Sequence, residues 1–569
     1  MPWRQMLRRA VEVWEKYQVE LQGQYSVERL YDLERYSAKT SPLRVAVVLL
    51  ATPLPCLAVV TLADMVPLED PSRGLAHSHM FWLRTAFTTT LFGVFIVHQF
   101  RFCIDDLHMN NAQLLLISIL SGCGATAVGF FLSYLIGFPM PFIIQCAGPS
   151  FVVILVIAFA VGWGRLFSHN TRARHQLRNA MGILMVQWYL TLVYPVYNAV
   201  FVRLDGARQA TFALVLPIIK LGGKNAMARF CKDMEDATPE VVVMNIEIFH
   251  ALFTTYCMQG TSSMLTVAMI MGFDAVLAWS SLHEVDVLAS DIRRIGDKPR
   301  SLLRVSDAVA SLDKSRIRPV LRTVMRIAKT DPLVRDSGAV RLASSTRSRK
   351  TTPPSLIRGR SIVPTENAQS LPLAVASDRH TTVMNSENGQ KSEETAHGSS
   401  VSPIRVDHPD LLLMKSGIDR LTPQERLEYV QKTLQLLHLT EFVLLVEFVE
   451  IIIPLIYGSY LLICFQLPIH EYYTQLHDVS PERLRQILKN VLIYALLEFI
   501  SFIMLHHLLR RKLRLAPIYQ LSFVLETQWS VIQSKLPLWM IFMVQQGLEH
   551  FGVDYTFQFK WLRRSHTST

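Results

Sequence analysis

LLVEFVEIIIPLIYGSY, residues 444–460, is greasy enough to lie in a lipid bilayer, yet it carries two carboxylates, Glu447 and Glu450, three residues apart. A hydrocarbon core about 30 Å thick is crossed by roughly 20 apolar helical residues, and the run 441–465 around this stretch has that length. In a helix with 3.6 residues per turn the two acids project about 60 degrees from each other, on one face. A charge at the middle of a membrane helix costs roughly 2.5 to 3.5 kcal/mol on insertion scales, so such a face needs protein beside it rather than lipid. The stretch predicts an all-α fold: a polytopic membrane helix bundle.

Working outward, apolar runs at 44–65, 80–100, 112–137, 143–164 and 179–201 meet the same standard of length. The joint GFPMPF between the third and fourth leaves room only for a tight hairpin. Residues 209–230, QATFALVLPIIKLGGKNAMARF, are apolar but interrupted by Pro217, Lys220, Gly222 and Gly223, and read as a discontinuous helix. Runs at 241–258 and 262–284 follow. After the linker come 441–465, 488–509 and a last long helix at 517–550 with one more crossing inside it, for ten or eleven spans in all. In the third span Ser121, Ala125, Gly129 and Ser133 recur every four residues, a face on which another backbone approaches closely.

The composition agrees. Hydrophobic residues make up 50% of the 569 and charged residues 18%, and the mean hydropathy is +0.26, all unusual for a water-soluble chain. The formal charge of +11 is a local property. Residues 291–360 hold 18 Lys and Arg against 6 Asp and Glu, so nothing calls for a nucleic-acid partner. From 286 to 420 the chain reads as a basic, disordered cytosolic linker between two modules, 44–285 and 421–569. Within it 316–329, RIRPVLRTVMRIAK, puts Val320, Val324 and Ile327 on one side, which suits a helix at anionic lipid headgroups, a site for cytosolic proteins, or simply a solvated helix. Ser344, Thr352 and Ser402 are candidate phosphorylation sites. Residues 1–43 read as a cytosolic amphipathic region (Trp3, Leu7, Trp14) without a cleaved signal peptide. Basic residues at the N-terminus and at 165–178 place both on the cytosolic side. Thr422, Pro423 and Glu425 form a capping box ahead of the opening helix.

The charged residues inside apolar runs are the candidate site. Glu447 and Glu450 lie roughly 9 to 14 Å along their span and Glu498 about 16 Å along the next, while Glu526 and Lys535 follow on the last helix. With Lys535 or His506 as counter-charge, three helices point carboxylates at one level. In the first half Glu247, His250 and Asp274 repeat the idea. One reading makes these groups a relay or site for protons or cations. The other has them hydrogen-bonding neighbours and holding helices in register.

TEFVLLVEFVEIIIPLIYGSY, LIYALLEFISF, LAPIYQLSFVLETQWSVIQSKLPLW and IEIFHALFTTYCMQGTSS resemble a large, uncharacterised oomycete-type family of multi-spanning membrane proteins. The resemblance covers both apolar halves and implies a two-part membrane architecture; it carries no functional residues. None of the HExxH, GxSxG, Walker or GxGxxG motifs occurs, and the seven cysteines show no CxxC, so neither an enzyme nor a cofactor is indicated. The chain reads as an integral membrane protein, of the plasma membrane or an endomembrane: a transporter or channel, or else a signalling or membrane-organising protein acting through its linker.

Overall fold

Capping residues and prolines set where the helices begin and break. The Thr422 hydroxyl accepts from the Glu425 N–H at 3.3 Å while the Glu425 carboxylate takes the Thr422 N–H at 3.0 Å, the reciprocal box the sequence predicts. Asn110 and Gln113 form a second box. The computed structural model describes residues 18–301, 324–328, 331 and 421–553, apart from 202, 205, 261–263, 475, 478, 514 and 515. Trp3, Leu7 and Trp14, the three candidate phosphorylation sites and most of the linker lie outside the described residues.

The helices are α1 (Val27–Lys39), α2 (Pro42–Ala51), α3 (Leu54–Asp64), α4 (His79–Cys103), α5 (Asn111–Ile136), α6 (Ile143–His169), α7 (Thr171–Phe201), α8 (Gly206–Ala213), α9 (Val215–Phe230), α10 (Thr238–Gly260), α11 (Met264–Ser301), α12 (Pro423–Cys464), α13 (Pro481–Leu513), α14 (Pro517–Thr527) and α15 (Trp529–Gln546). Among the described residues there is no strand. The fold is an all-α membrane bundle.

Three helices form its interior. α10 packs along α12, and α15 lies against α10, α4 and α3. Every residue from 241 to 255 is buried. Around this trio α9 packs on α7 and α10, α13 and α11 on α12, and α5 between α4 and α6. The outer helices turn apolar side chains outward, Val161 at 83% exposure and Met504 at 69%. In water such faces invite association, whereas in lipid they are solvated. Pro42–Asp64 (α2 and α3 together), α4, α5, α6, α7 and Pro481–Arg511 of α13 are long and apolar enough to cross a membrane.

Residues 209–230, read as interrupted from Pro217 to Gly223, break at Leu214 instead, and the last helix, read as continuous, is divided too. Residues 209–230 form α8 and α9, which meet at Leu214. The last helix breaks at Gln528, whose φ of −102° and ψ of 22° lie off the helical values. That break sends Glu526 and Lys535 to different surroundings. The linker boundary differs too, since α11 continues to Ser301. Lys432 on α12 meets Asp291 on α11 at 2.5 Å. In the 324–328 segment the apolar side read as facing headgroups is buried in protein, Val324 and Ile327 included, and Tyr31 donates to the Met325 carbonyl at 3.0 Å.

The small-residue face of α5 is buried as expected, Ser121, Ala125, Gly129 and Ser133 all being covered. The closest approach falls on the glycines beside it. A Cβ on Gly122 would lie 2.6 Å from the Thr90 nitrogen, and one on Gly93 2.8 Å from the Ser118 Cα. Backbone has little room to yield. Gly122→Ala is expected to cost about 1–3 kcal/mol in a denaturation experiment, while Gly162→Ala, with nothing within 4 Å, leaves the midpoint unchanged. Lys432 holds the Asp291 carboxyl below its ordinary value through their hydrogen bond. The tether is therefore fully present above the ordinary aspartate range, about pH 4, and lost as pH falls through the lower folded value. Protection factors of the amides across 286–295, taken relative to the intrinsic exchange rate at each pH, should fall in that acid window and not change between pH 5 and 8.

Candidate functional site: three buried polar networks along one helix

On α9 Lys220 and Lys224 are one turn apart and share a face. On α10 Glu240 and Glu247 are seven residues apart, two turns along the same side, with His250 three further on. On α12 Glu441 precedes Glu450 by nine residues. Helix packing brings these faces together. Lys220 Nζ stands 2.8 Å from Glu247 Oε2 and donates to Glu450 Oε1 at 3.2 Å. Lys224 Nζ is 2.6 Å from Glu247 Oε1, with the Phe442 ring centroid 5.3 Å away. The Tyr194 hydroxyl and His250 Nδ1 are 3.3 Å apart at its edge. All seven side chains are buried, and two ammonium groups face two carboxylates.

A second network closes one end. Arg29 of α1 reaches Glu240 Oε1 at 2.5 Å and Glu441 Oε1 at 2.6 Å. The Tyr25 hydroxyl donates to Glu441, and Gln520 Nε2 donates to that hydroxyl at 2.9 Å. Burial opposes the charge on Arg29, but Glu240 and Glu441 outweigh it and hold the guanidinium above its ordinary value. The third network lies at the opposite end of α12. Arg84 pairs with Asp64, whose Oδ2 accepts from Tyr460 at 2.5 Å and from Tyr473 at 3.0 Å. Arg84 also donates to the Tyr473 hydroxyl at 2.8 Å. From Glu441 to Glu450 is roughly 14 Å along α12, and from Glu441 to Tyr460 roughly 29 Å, close to the hydrocarbon thickness of a bilayer.

Of the residues singled out from sequence, Glu247, His250 and Glu450 meet in the central network. Glu447 faces the other way and accepts from Ser501 on α13 at 3.3 Å; Glu498 is buried on that same helix. Glu526 belongs to the periphery, paired with Arg44 and accepting from the Tyr36 hydroxyl at 2.8 Å. Lys535 is buried and donates to Gln99, not to a carboxylate, and Gln99 also accepts from Gln187 at 2.9 Å. Asp274 lies on α11, and its side chain is outside the described residues. The counter-charge for Glu450 is thus Lys220 rather than Lys535 or His506. Lys220 and Lys224, four apart in an apolar segment, were a legible signal. Arg29 was not, because α1 is a polar helix in which a buried arginine looks like any other.

Arg29→Met leaves Glu240 and Glu441 buried without a cation and is expected to cost about 3–5 kcal/mol. Adding Glu240→Gln and Glu441→Gln should restore much of that loss in the same denaturation measurement, whereas a surface-type pair would give under about 1 kcal/mol throughout. No protein-family model, curated protein or solved structure matches this chain.

Proposed function

We propose that this multi-pass membrane protein is a transporter or channel in which Lys220, Glu247 and Glu450 form the site that takes up a proton or a cation. The observation that carries the reading is one ammonium shared between two carboxylates, 2.8 Å from one and 3.2 Å from the other, on three separate helices. Such a lysine has two places to rest. A proton or cation arriving at Glu450 releases Lys220 to Glu247 alone, and the tie between α9 and α12 is lost.

The setting supports movement at that point. α9 is joined to α8 through a break at Leu214, and a discontinuous helix lets one segment shift without the rest. The Arg29 and Arg84 networks stand on either side of the central one, as closures for a pathway along α12. They differ in strength of closure, a two-carboxylate clamp at one end and a carboxylate with two tyrosines at the other. Glu447 on α12 and Glu498 on α13 are further buried carboxylates outside the central network. Kinship with the oomycete-type family would fit this architecture and adds no activity to it.

The alternative, a signalling or membrane-organising protein, draws on one observation. The 324–328 segment of the basic stretch is docked on the bundle, and Arg426 of α12 meets Asp331 at 2.8 Å, so a partner or modification on the linker has a physical route to α12.

The test is flux in proteoliposomes under an imposed pH gradient, with a trapped pH dye and with Na+ and K+ in turn. Lys220→Met with Glu450→Gln removes one charge of each sign and leaves Lys224 on Glu247, so the interior stays balanced. The wild type should carry flux and this double variant should lose it while unfolding at the wild-type midpoint. Glu450→Gln alone should instead lower stability, since it strands part of a buried charge. A wild type indistinguishable from empty liposomes for all three ions overturns the transport reading and leaves the linker-based one.

A further inference from the structure

A strongly basic stretch is ordinarily a solvated one, yet part of residues 286–420 lies inside the protein. In the helical turn 324–328, Val324, Met325 and Ile327 are 0%, 7% and 2% exposed. The Asp331 N–H donates back to the Ile327 carbonyl at 2.9 Å. Asp331 is itself buried and meets Arg426, near the start of α12, at 2.8 Å. On the other flank the Tyr31 hydroxyl of α1 donates to the Met325 carbonyl at 3.0 Å. The turn is therefore tied to α1 by one contact and to α12 by another.

Of the two, α1 has more to lose. Its 13 residues are close to the length, about 12 to 15, at which a helix in water is only marginal, so packing has to hold it. The two sides of α1 have different partners. Arg29 reaches into the bundle to Glu240 and Glu441. Tyr31, two residues on, is turned about 200 degrees from Arg29 around the helix axis and meets the 324–328 turn. Leu30 and Leu33 are buried, while Asp32, Arg35 and Lys39 are exposed. The ends have their own ties: the Ser26 N–H donates to Asp236 at 2.7 Å, and the Tyr36 hydroxyl to Glu526 at 2.8 Å. The middle is held by Arg29 on one side and by the Met325 carbonyl on the other.

We infer that the 324–328 turn is a strap that holds α1 on the bundle and so keeps Arg29 seated between Glu240 and Glu441. Drawing the strap away breaks the Tyr31 bond and uncovers Val324, Met325 and Ile327 in one step. The basic stretch is thereby coupled to the clamp through α1. That coupling is a property of the contacts alone; its consequence for flux rests on the transport reading.

The experiment is hydrogen exchange by mass spectrometry on the full chain in nanodiscs, comparing the wild type with the double variant Val324→Asp, Ile327→Asp. Protection of the amides in 27–39 should fall at least about tenfold, the scale set by losing the burial of one apolar side chain. A smaller fall is expected around Glu240 and Glu441, and none in α5. Tyr31→Phe and Arg426→Gln each cut one tie and leave the apolar contact in place. Each should lower protection of 27–39 about two- to tenfold, the worth of one hydrogen bond, and they decide the matter if the double variant does not fold. Amides of 27–39 as protected in all three variants as in the wild type, or a 324–328 turn without protection in the wild type, overturn the proposal. In proteoliposomes the double variant should carry proton flux faster than the wild type. If neither carries flux while protection falls as stated, the strap stands and the transport reading fails.

Discussion

A charge inside a low-dielectric interior must be matched within a few ångströms, and this molecule is arranged around that requirement. Removing one partner of a buried pair strands the other at a cost of about 3–5 kcal/mol, so Lys220, Lys224, Glu247 and Glu450 constrain three helices at once. α10 and α12 cannot slide or rotate against α9 without separating them. The same rule places Arg29 between Glu240 and Glu441, and Asp64 against Arg84.

α12 is where these constraints meet. It carries an acid or a tyrosine in each of the three networks, and the distance between the outer two is close to the thickness of a bilayer core. The outer helices have the complementary task. α2, α3, α6 and α13 leave most of their apolar surface facing outward, and so provide the solvent boundary that lets α10, α12 and α15 be polar inside. Helix contact in this shell comes from close backbone approach, as at Gly93 and Gly122, because apolar side chains gain little by leaving lipid for protein.

Polar groups serve opposite ends in the two parts of the bundle. Around α12 they are paired with one another and fix register. Between α4, α7 and α15 several are buried without partners, Thr85 Oγ1, Gln187 Oε1 and Trp539 Nε1 among them, at an energetic cost carried by the rest of the fold.

The sequence by itself determined the class of the protein and the existence of its interior charges. Apolar runs of membrane length, the four-residue stripe on α5 and the Thr422 capping box all follow from local pattern, because helix periodicity and backbone hydrogen bonding act over a few residues. It also marked Glu247, His250 and Glu450, since a carboxylate in an apolar run is conspicuous wherever it ends up. Partnership was another matter. Glu447 and Glu450 sit on one face, yet the 60 degrees between them is enough to turn one toward α13 and the other toward α9. Lys535 finds Gln99 and not an acid, and Arg29, on a polar helix more than 200 residues from Glu240, becomes a central cation. Only the tertiary structure decides such pairings, because they depend on helix rotation and depth, which are fixed by all the neighbours together.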